Sequence, residues 1–504
     1  MAGYDKFLAA HRDRTHAVYV GANDGMLHAF AAGTGDELFA YVPRSLFPKL
    51  AAYTSPDYEH QSYVDGTPAV GEARVAGGAW KTVLVSGSGG GATGVFALDV
   101  TDPAAFSADK VLWEFSGADD KDHGLPDPGT ADPEVPHRRR HQDRSGHLWL
   151  VRCRPVGLQF NNANSEKRAA LFLLSLDKPA AAAWELGVNY HKIILRRPTD
   201  SALVNALSTP GDYAVADGSA RFLYAGDTQG NLWKFDFTGN APWSKDNALG
   251  LNKQPLMVAM DGSGADAKRQ PITVAPEVGV GPDGGAIVLF GTGKFVSPED
   301  LGHASRGVQT MYGVYDNGVA LPANDARAQL QSRQAVAASG QLFSSVTGDA
   351  FVHGAFDRKT TSRRGWYFDL PGGLDRGERL VSRPVLSDSQ LFFNTLIPNA
   401  SACSGDGGGR SCAVNAMTGL SQGGTCVPSS DGMLEAPLLV QLGEGGYSAT
   451  DAFGRRSETR RLAVINPGGR RGISTAQPVD GGKTSQVAGR LNWRQVVDYR
   501  GAKP

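Results

Sequence analysis

A few stretches of the chain carry residue types at spacings that could do chemistry. Residues 87–94 read GSGGGATG, a glycine-rich run of the kind whose backbone N–H groups can cradle a phosphate. A phosphate loop must open a helix, so that the helix N-terminus faces the anion, and here VFALD at 95–99 follows as a strand. That excludes a nucleotide cradle. His11, His16 and His28 lie near the start without Cys or carboxylates at ligand spacing, which argues against zinc. His28 sits between Leu27 and Phe30 and reads as a strand residue. The four cysteines are Cys153, Cys403, Cys412 and Cys426. The last three crowd a Gly/Ser-rich stretch with no nearby histidine, so a local disulfide closing a surface loop is expected rather than a metal site. It would imply an oxidising compartment, and the pairing is left open. Arg138, Arg139 and Arg140 form a basic run that reads as a solvated face, with an anion contact as the functional alternative.

The elements that must position these residues are β-strands. The chain has 504 residues, 64 of them glycine, with 41% hydrophobic and 20% charged residues. Many short apolar runs separated by glycine read as strands and tight turns, and the apolar content is too high for disorder. A single core rarely grows to this length, but repeat architectures escape the limit because each unit packs only on its neighbours. The formal charge of −1 gives no field to draw in nucleic acid or an anionic membrane. No apolar run approaches the roughly 20 residues of a membrane span. Residues 1–14 are polar and charged, unlike a signal peptide. Read literally, such a chain stays in the cytoplasm; the alternative is a fragment whose export signal lies upstream.

Two segments align without gaps: AVYVGANDGMLHAF at 17–30, and the stretch ending FLYAGDTQGNLWKF at 222–235. Tyr19 and Tyr224 lead each strand; Gly21 and Gly226 follow, then Gly25 and Gly230 four residues on. Asp24-Gly25 and Gln229-Gly230 put glycine where a hairpin turn needs positive φ. Such a phrase repeated two hundred residues apart is a repeat signal. Weaker copies are expected at 82–86 with 94–99, at 169–177, at 287–293 with 310–316, and at 365–370 with 390–396. Trp113, Trp184 and Trp243 each follow such a unit and are placed between repeats as aromatic plugs. A spacing of about 40–50 residues predicts an all-β propeller of about seven blades. One helix is expected over 325–338, capped by Asn324, and 1–12 as the tail of another. Residues 443–461 and 468–489 read as long loops with short strands.

The phrases YVDGTP at 63–68, YAGDTQGNLWKFD at 224–236 and PEVGVGPDGGAIVLFGTGK at 276–294 are distinctive. So are QTMYGVYDNG at 309–318, GWYFDL at 365–370 and GRLNWRQVV at 489–497. Together, and in order, they resemble the C-terminal propeller of the PilC/PilY family, the adhesins and assembly factors of type IV pilus tips. The resemblance runs from about Tyr19 to the C-terminus. It implies a quinoprotein-like β-propeller over 17–504 behind a short leader at 1–16. It further implies a non-enzymatic role in pilus biogenesis, adhesion and pilus extension. Minor pilins at the pilus tip and a host or abiotic surface would be the partners, at the periplasm and cell surface. Family members usually carry a long N-terminal region, which favours the fragment reading.

The resemblance also implies calcium, held in a loop of spaced aspartates just before the strand at 222–226. That pattern falls here on Tyr213, Val215, Asp217 and Arg221, of which only Asp217 is acidic, with Asp212 nearby. Calcium takes about six to eight oxygens, so this loop is degenerate and Asp217-Gly218 reads as an ordinary turn. Asp406 and Asp431 are candidates for a second calcium site. Residues 134–156 depart from the family pattern: they are strongly basic, lack strand alternation, and are expected to be a frame-shifted or diverged segment. The enzyme alternative is a dehydrogenase of the pyrroloquinoline quinone type. It would want a disulfide between adjacent cysteines, and no Cys-Cys pair occurs, so no quinone is expected.

Overall fold

The structure is a computed structural model. It describes residues 3–89, 94–120, 141–142, 148–153, 169–195, 205–214, 220–264, 266–296, 298–301, 307–338, 342–355, 361–370, 376–398, 408–421, 426–429, 433–441, 446–447, 455–467 and 473–487. Two compact units divide the chain: Met1–Ser305 with Tyr315–Gln329, and Arg306–Val314 with Leu330–Pro504.

The first unit opens with a short helix, α1 (Tyr4–Ala10), as the sequence predicts, although it ends two residues early. Its buried Phe7 faces inward, and Tyr4 packs on Trp80 with ring centroids 4.7 Å apart. Antiparallel sheets then follow in chain order. The first is β1 (Ala17–Gly21), β2 (Leu27–Ala31) and β3 (Glu37–Tyr41). The second is β4 (Ala69–Arg74), β5 (Trp80–Gly87), β6 (Gly94–Asp99) and β7 (Val111–Ser116). The third is β8 (His141–Gln142), β9 (Leu148–Cys153), β10 (Ala170–Ser175) and β11 (Tyr190–Ile194). The fourth is β12 (Gly211–Ala214), β13 (Ala220–Gly226), β14 (Asn231–Asp236) and β15 (Met257–Val258). A fifth begins with β16 (Glu277–Val280) and β17 (Ala286–Gly291).

The repeated phrase folds identically at both copies. Gly21 pairs with Leu27 and Tyr19 with Ala29; Gly226 pairs with Leu232 and Tyr224 with Lys234. Gly25 and Gly230 take φ of 98° and 77°, the left-handed turn conformation expected of glycine. The reason for the first glycine of the phrase is visible only in three dimensions. A Cβ on Gly21 would lie 2.5 Å from the Val64 carbonyl oxygen, and one on Gly226 would lie 2.1 Å from Ile272 Cγ2. In each copy a returning segment crosses the hairpin at that glycine. It is held there by the Val64 N–H on the Ala22 carbonyl at 3.2 Å, or the Ile272 N–H on the Asp227 carbonyl at 2.9 Å. Both segments then run through a proline, Pro68 or Pro276, into the first strand of the following sheet, β4 or β16.

Successive sheets bury their faces on one another. Leu27 of the first meets Leu84, Phe96 and Leu98 of the second. Val85, Ala97 and Phe115 of the second meet Phe172 and Leu174 of the third. Leu171, Leu173 and Ile193 of the third meet Leu223, Trp233 and Phe235 of the fourth. A middle strand therefore has both faces covered, and every residue of β6 and β10 is buried. Trp113 and Trp184 sit in the second-to-third interface, edge to face at 5.3 Å, and Trp243 sits in the third-to-fourth, as the aromatic-plug reading expects.

In the second unit, residues 310–314 of β18 (Thr310–Asp316) pair with a later strand. The strands β19 (Gln331–Ser332), β20 (Gln334–Ala338), β21 (Leu342–Thr347), β22 (Val352–His353), β23 (Ser362–Arg363) and β24 (Gly365–Asp369) follow. After them come β25 (Val385–Ser387), β26 (Gln390–Ile397), β27 (Gly408–Asn415) and β28 (Val427–Pro428), which form one four-stranded sheet. The last sheet is β29 (Leu438–Gln441), β30 (Gly446–Tyr447), β31 (Arg455–Pro467) and β32 (Ile473–Val487).

Several expectations are corrected here. The helix placed over 325–338 is a single 3-10 turn, Ala326–Gln329, followed by β19 and β20. Pairing with β24 and β21 outweighs a good local helix propensity. The stretch at 365–370 does not pair with 390–396: β24 pairs with residues 310–314, and β26 pairs with β25 and β27. The polar stretches at 443–461 and 468–489 contain the first half of β31 and the whole of β32, paired strands of 13 and 15 residues. Polar strands pair through their backbones and leave no apolar alternation to read. Within the atypical 134–156, residues 148–153 form β9, in register with β10 from Trp149 opposite Ser175 to Cys153 opposite Leu171. Arg138, Arg139 and Arg140 lie outside the described residues. The open disulfide pairing resolves to Cys412–Cys426, fourteen residues apart. It continues the β27–β28 ladder beyond Arg410 opposite Pro428 and Ser411 opposite Val427. Closing a loop of that size constrains the unfolded chain by about 3 kcal/mol. Cys403 lies outside the described residues.

The crossing at the repeat glycine is open to test. Gly226→Ala drives a methyl into Ile272 and is expected to lower stability by about 1–3 kcal/mol, as overpacked cores do. Gly239→Ala, with nothing within 4 Å of its Cβ, should stay within about 0.5 kcal/mol of wild type in the same urea titration.

Candidate functional site

The residues of the first candidate calcium loop fall on β12, on β13 and between them. Asp212 stands on β12 opposite Leu223, half-buried. Asp217 lies in 215–219, outside the described residues, as do Asp406 and Asp431. Of the remaining positions of the aspartate pattern, Tyr213 points away to donate its hydroxyl to the Gly284 carbonyl at 3.2 Å. Arg221 is an exposed cation on β13. Among the described residues no three His, Cys, Asp or Glu side chains are placed to hold a metal ion. A hydroxyl turned away and a cation in place of carboxylates do not fit calcium, which needs about six to eight oxygens.

Ordered polar chemistry lies instead just beneath that hairpin. The Tyr224 hydroxyl donates to Asp316 Oδ2 at 2.6 Å, and Lys234 Nζ lies 2.6 Å from the same oxygen. The Lys234 ammonium also sits 4.1 Å over the Phe222 ring. Tyr224 and Lys234 face each other across the β13–β14 register, so the hairpin delivers both to one carboxylate. Burial and the adjacent Asp316 charge push the Tyr224 pKa up, which keeps the phenol protonated and donating. At the turn itself, fully buried Asp227 accepts from the Gln229 and Asn231 N–H groups, both at 2.9 Å. It also accepts from the Asn231 amide at 2.8 Å, from Trp233 Nε1 at 2.7 Å and from Asn205 Nδ2 at 2.9 Å. Burial pushes the Asp227 pKa up, while hydrogen bonds from Asn205, Trp233 and Asn231 pull it down.

Tyrosine hydroxyls on carboxylates recur between the sheets of this unit. Tyr41 of β3 donates to Glu114 of β7. Tyr190 of β11 donates to Asp120 just after β7 at 2.8 Å, where Lys192 Nζ also lies 2.8 Å away. Each joins a strand to a different sheet. Their carboxylates are far from the tyrosines in sequence, and no local spacing signals them.

The first copy of the phrase carries a different device. His28 is a strand residue, as the sequence predicts, yet both ring nitrogens are engaged. Nδ1 is 2.5 Å from Glu37 Oε1 and Nε2 is 2.8 Å from Asp24 Oδ2. Two carboxylates on opposite nitrogens are both satisfied only when the imidazole is protonated. The Glu37 hydrogen bond, with Asp24 adding to it against partial desolvation, raises the His28 pKa above its ordinary 6.5. The bracket ties the β1–β2 turn to β3. Asn23 in that turn accepts the Tyr53 hydroxyl on its carbonyl at 2.6 Å and the Tyr63 N–H on its side chain at 2.9 Å.

Sheets that follow one another in chain order, pack face to face, and are pinned by crossing segments, aromatic plugs and tyrosine–carboxylate clasps define an all-β protein of the β-propeller class. Comparison with known proteins agrees. The family model of the PilY1 beta-propeller domain matches residues 1–346, and the chain belongs to that family. It is 35% identical, over 98% of its length, to a type IV pilus biogenesis factor PilY1 homolog of Xylella fastidiosa. It is 34% identical, over 79% of its length, to the type IV pilus biogenesis factor PilY1 of Pseudomonas aeruginosa. The chain spans about a third (34%) of each of these relatives. Among solved structures, the Pseudomonas aeruginosa PilY1 C-terminal domain superposes with a TM-score of 0.62 at 26% identity, covering 94% of this chain and 95% of that one.

The His28 bracket has a definite pH signature. Its folded pKa is raised, so its stabilisation is fully present below pH 6.5 and is lost as pH rises through the folded value. The melting-temperature difference between wild type and His28→Gln should therefore be largest near pH 5.5 and shrink towards pH 9. A difference that grows with pH would contradict the bracket.

Proposed function

We propose that this chain is the propeller module of a type IV pilus biogenesis factor. It acts without catalysis as a scaffold for pilus-tip assembly, for surface attachment and for control of pilus extension and retraction. The observation that carries this reading is the match to the PilY1 C-terminal domain along nearly the whole of both chains. The names of the curated relatives support it. Minor pilins at the tip are the proposed partners, with a host or abiotic surface on the far side, and the proposed location is the periplasm and cell surface. The Cys412–Cys426 disulfide is consistent with an oxidising compartment. Rigid sheets carrying variable loops are the usual way such a module presents a binding surface.

Deleting the coding segment for residues 17–504 in the source organism should remove or sharply reduce surface pili counted by electron microscopy. Restoring the segment should restore them. Undiminished piliation, or quinone-dependent dye reduction by the purified chain with alcohols, would overturn the scaffold reading in favour of a dehydrogenase.

For calcium, the donor set of the β12–β13 hairpin supports weak binding at most. Millimolar calcium or a chelator is expected to leave the melting temperature unchanged, because only a ligand that binds the folded state raises it. A calcium-dependent rise that Asp217→Asn abolishes would show that the hairpin is a working site.

A further inference from the structure

In the second unit, β27 is held very unequally on its two sides. Towards β26 it pairs at eight register positions, from Asn415 opposite Gln390 to Gly408 opposite Ile397. Towards β28 it pairs at two, Arg410 opposite Pro428 and Ser411 opposite Val427. One of those two is a proline, which has no N–H to give to a ladder. Pro428 is also exposed, so it buries little apolar surface. The Ser429 N–H on the Gly409 carbonyl at 2.8 Å is a further tie. A strand this short is weakly held by its ladder, since even a full two-stranded hairpin is marginal in water. A covalent tie sits at the next position along: Cys412 and Cys426 form the disulfide, with Cα atoms 4.1 Å apart.

The rest of this region is fastened without that bond. Arg410 is fixed by its ion pair with the buried carboxylate of Glu378. In the turn after β27, Asn415 Oδ1 accepts the N–H groups of Met417 and Thr418 at 3.0 and 2.9 Å. The turn carbonyls then receive Trp366 Nε1 on Ala416 at 2.9 Å and Arg333 Nε on Thr418 at 2.7 Å. What the disulfide alone adds is the hold on β28.

The sulfurs lie inside. Cys412 is 2% and Cys426 5% exposed, and Cys412 stands opposite the fully buried Phe393 of β26. Thiol–disulfide exchange needs a thiolate to reach a sulfur. With β28 docked neither an oxidant nor a reductant has that access, so the bond must form while β28 is undocked.

We propose that Cys412–Cys426 is a one-way redox latch: β28 docks on β27 only in the oxidised chain, after a disulfide-bearing oxidant has acted. One cysteine thiolate attacks a sulfur of the oxidant's disulfide and expels a thiolate. The second cysteine thiolate then attacks the mixed disulfide, closing the Cys412–Cys426 bond and releasing the oxidant as a dithiol. Two electrons pass to the oxidant, and the two cysteine protons go to solvent or to the released thiols. In the dithiol state the β26–β27 pair stands and the β28 edge of β27 stays open.

The test is hydrogen exchange of the purified full chain, read by mass spectrometry, after oxidation with glutathione disulfide and after refolding in dithiothreitol. Peptide mapping of the oxidised chain should find Cys412 linked to Cys426; Cys426 free or linked elsewhere overturns the latch. Residues 426–429 should exchange at least roughly tenfold faster in the reduced chain and in Cys426→Ser than in oxidised wild type. Residues 390–397 of β26 and 170–175 of the first unit should not change. Equal protection of 426–429 in both states, or loss of protection across β26 as well, overturns the proposal. Should Cys426→Ser fail to fold, Cys412→Ala with Cys426→Ala removes the bond without burying a hydroxyl. If that variant also unfolds β26, the disulfide is a general support of the unit and the latch is overturned.

Discussion

The first unit depends on one steric constraint: a returning segment must cross the hairpin where the hairpin has no side chain. At Gly21 the crossing residue is Val64, and at Gly226 it is Ile272. Either way the crossing N–H is captured by the carbonyl of the residue after the glycine. That bond satisfies a backbone donor that would otherwise be buried and unpaired, and it sets the point at which the chain leaves one sheet for the next. Because the next sheet starts a fixed distance past the crossing, its strands arrive already aligned to pack on the previous face. A side chain at either glycine would displace both the segment and the sheet that follows it.

Packing between sheets is mostly apolar, and its polar exceptions are informative. Tyr41 with Glu114, Tyr190 with Asp120, and Tyr224 with Asp316 each place a phenol on a carboxylate from another sheet or from the chain just beyond one. Apolar faces can slide over one another, whereas a short directional bond at the rim of an apolar interface holds one register. Lysines at two of the three clasps pair with the buried carboxylates. The same logic separates Arg410, whose charge is answered by the buried carboxylate of Glu378, from Arg333, whose guanidinium is held on carbonyl oxygens and a ring with the exposed Asp349 nearby. In this molecule buried charge serves as a fastening wherever a counter-charge accompanies it.

Much of the fold was legible because its strands are half- or fully apolar and its turns need glycine. The β1–β2 and β13–β14 hairpins, β5 with β6, β10, and the three tryptophan plugs all follow from alternation and from glycine spacing. The failures share a cause. The 325–338 segment has the composition of a helix and becomes 3-10 turn and strand because partners distant in sequence supply its hydrogen bonds. The hairpin of β31 and β32 is polar over most of its length, apart from the short apolar run at 462–465, so little in its residues announces it. The candidate metal residues were chosen on resemblance, and the structure turns Tyr213 away and leaves Arg221 exposed where carboxylates would be required.

By itself the sequence determined the repeat unit, the all-β class and the family, because these rest on local chemistry. Positive φ at Gly25 and Gly230, alternation along short strands, and motifs in a set order all survive without knowledge of what lies across space. Only the tertiary structure decided why Gly21 and Gly226 must be glycine, which cysteine Cys426 joins, which carboxylate each tyrosine meets, and that the Arg333 guanidinium is buried on backbone carbonyls. These are facts about residues far apart in the chain. Steric exclusion and desolvation act on whatever is near in space, and nearness in space is written in no single stretch of sequence.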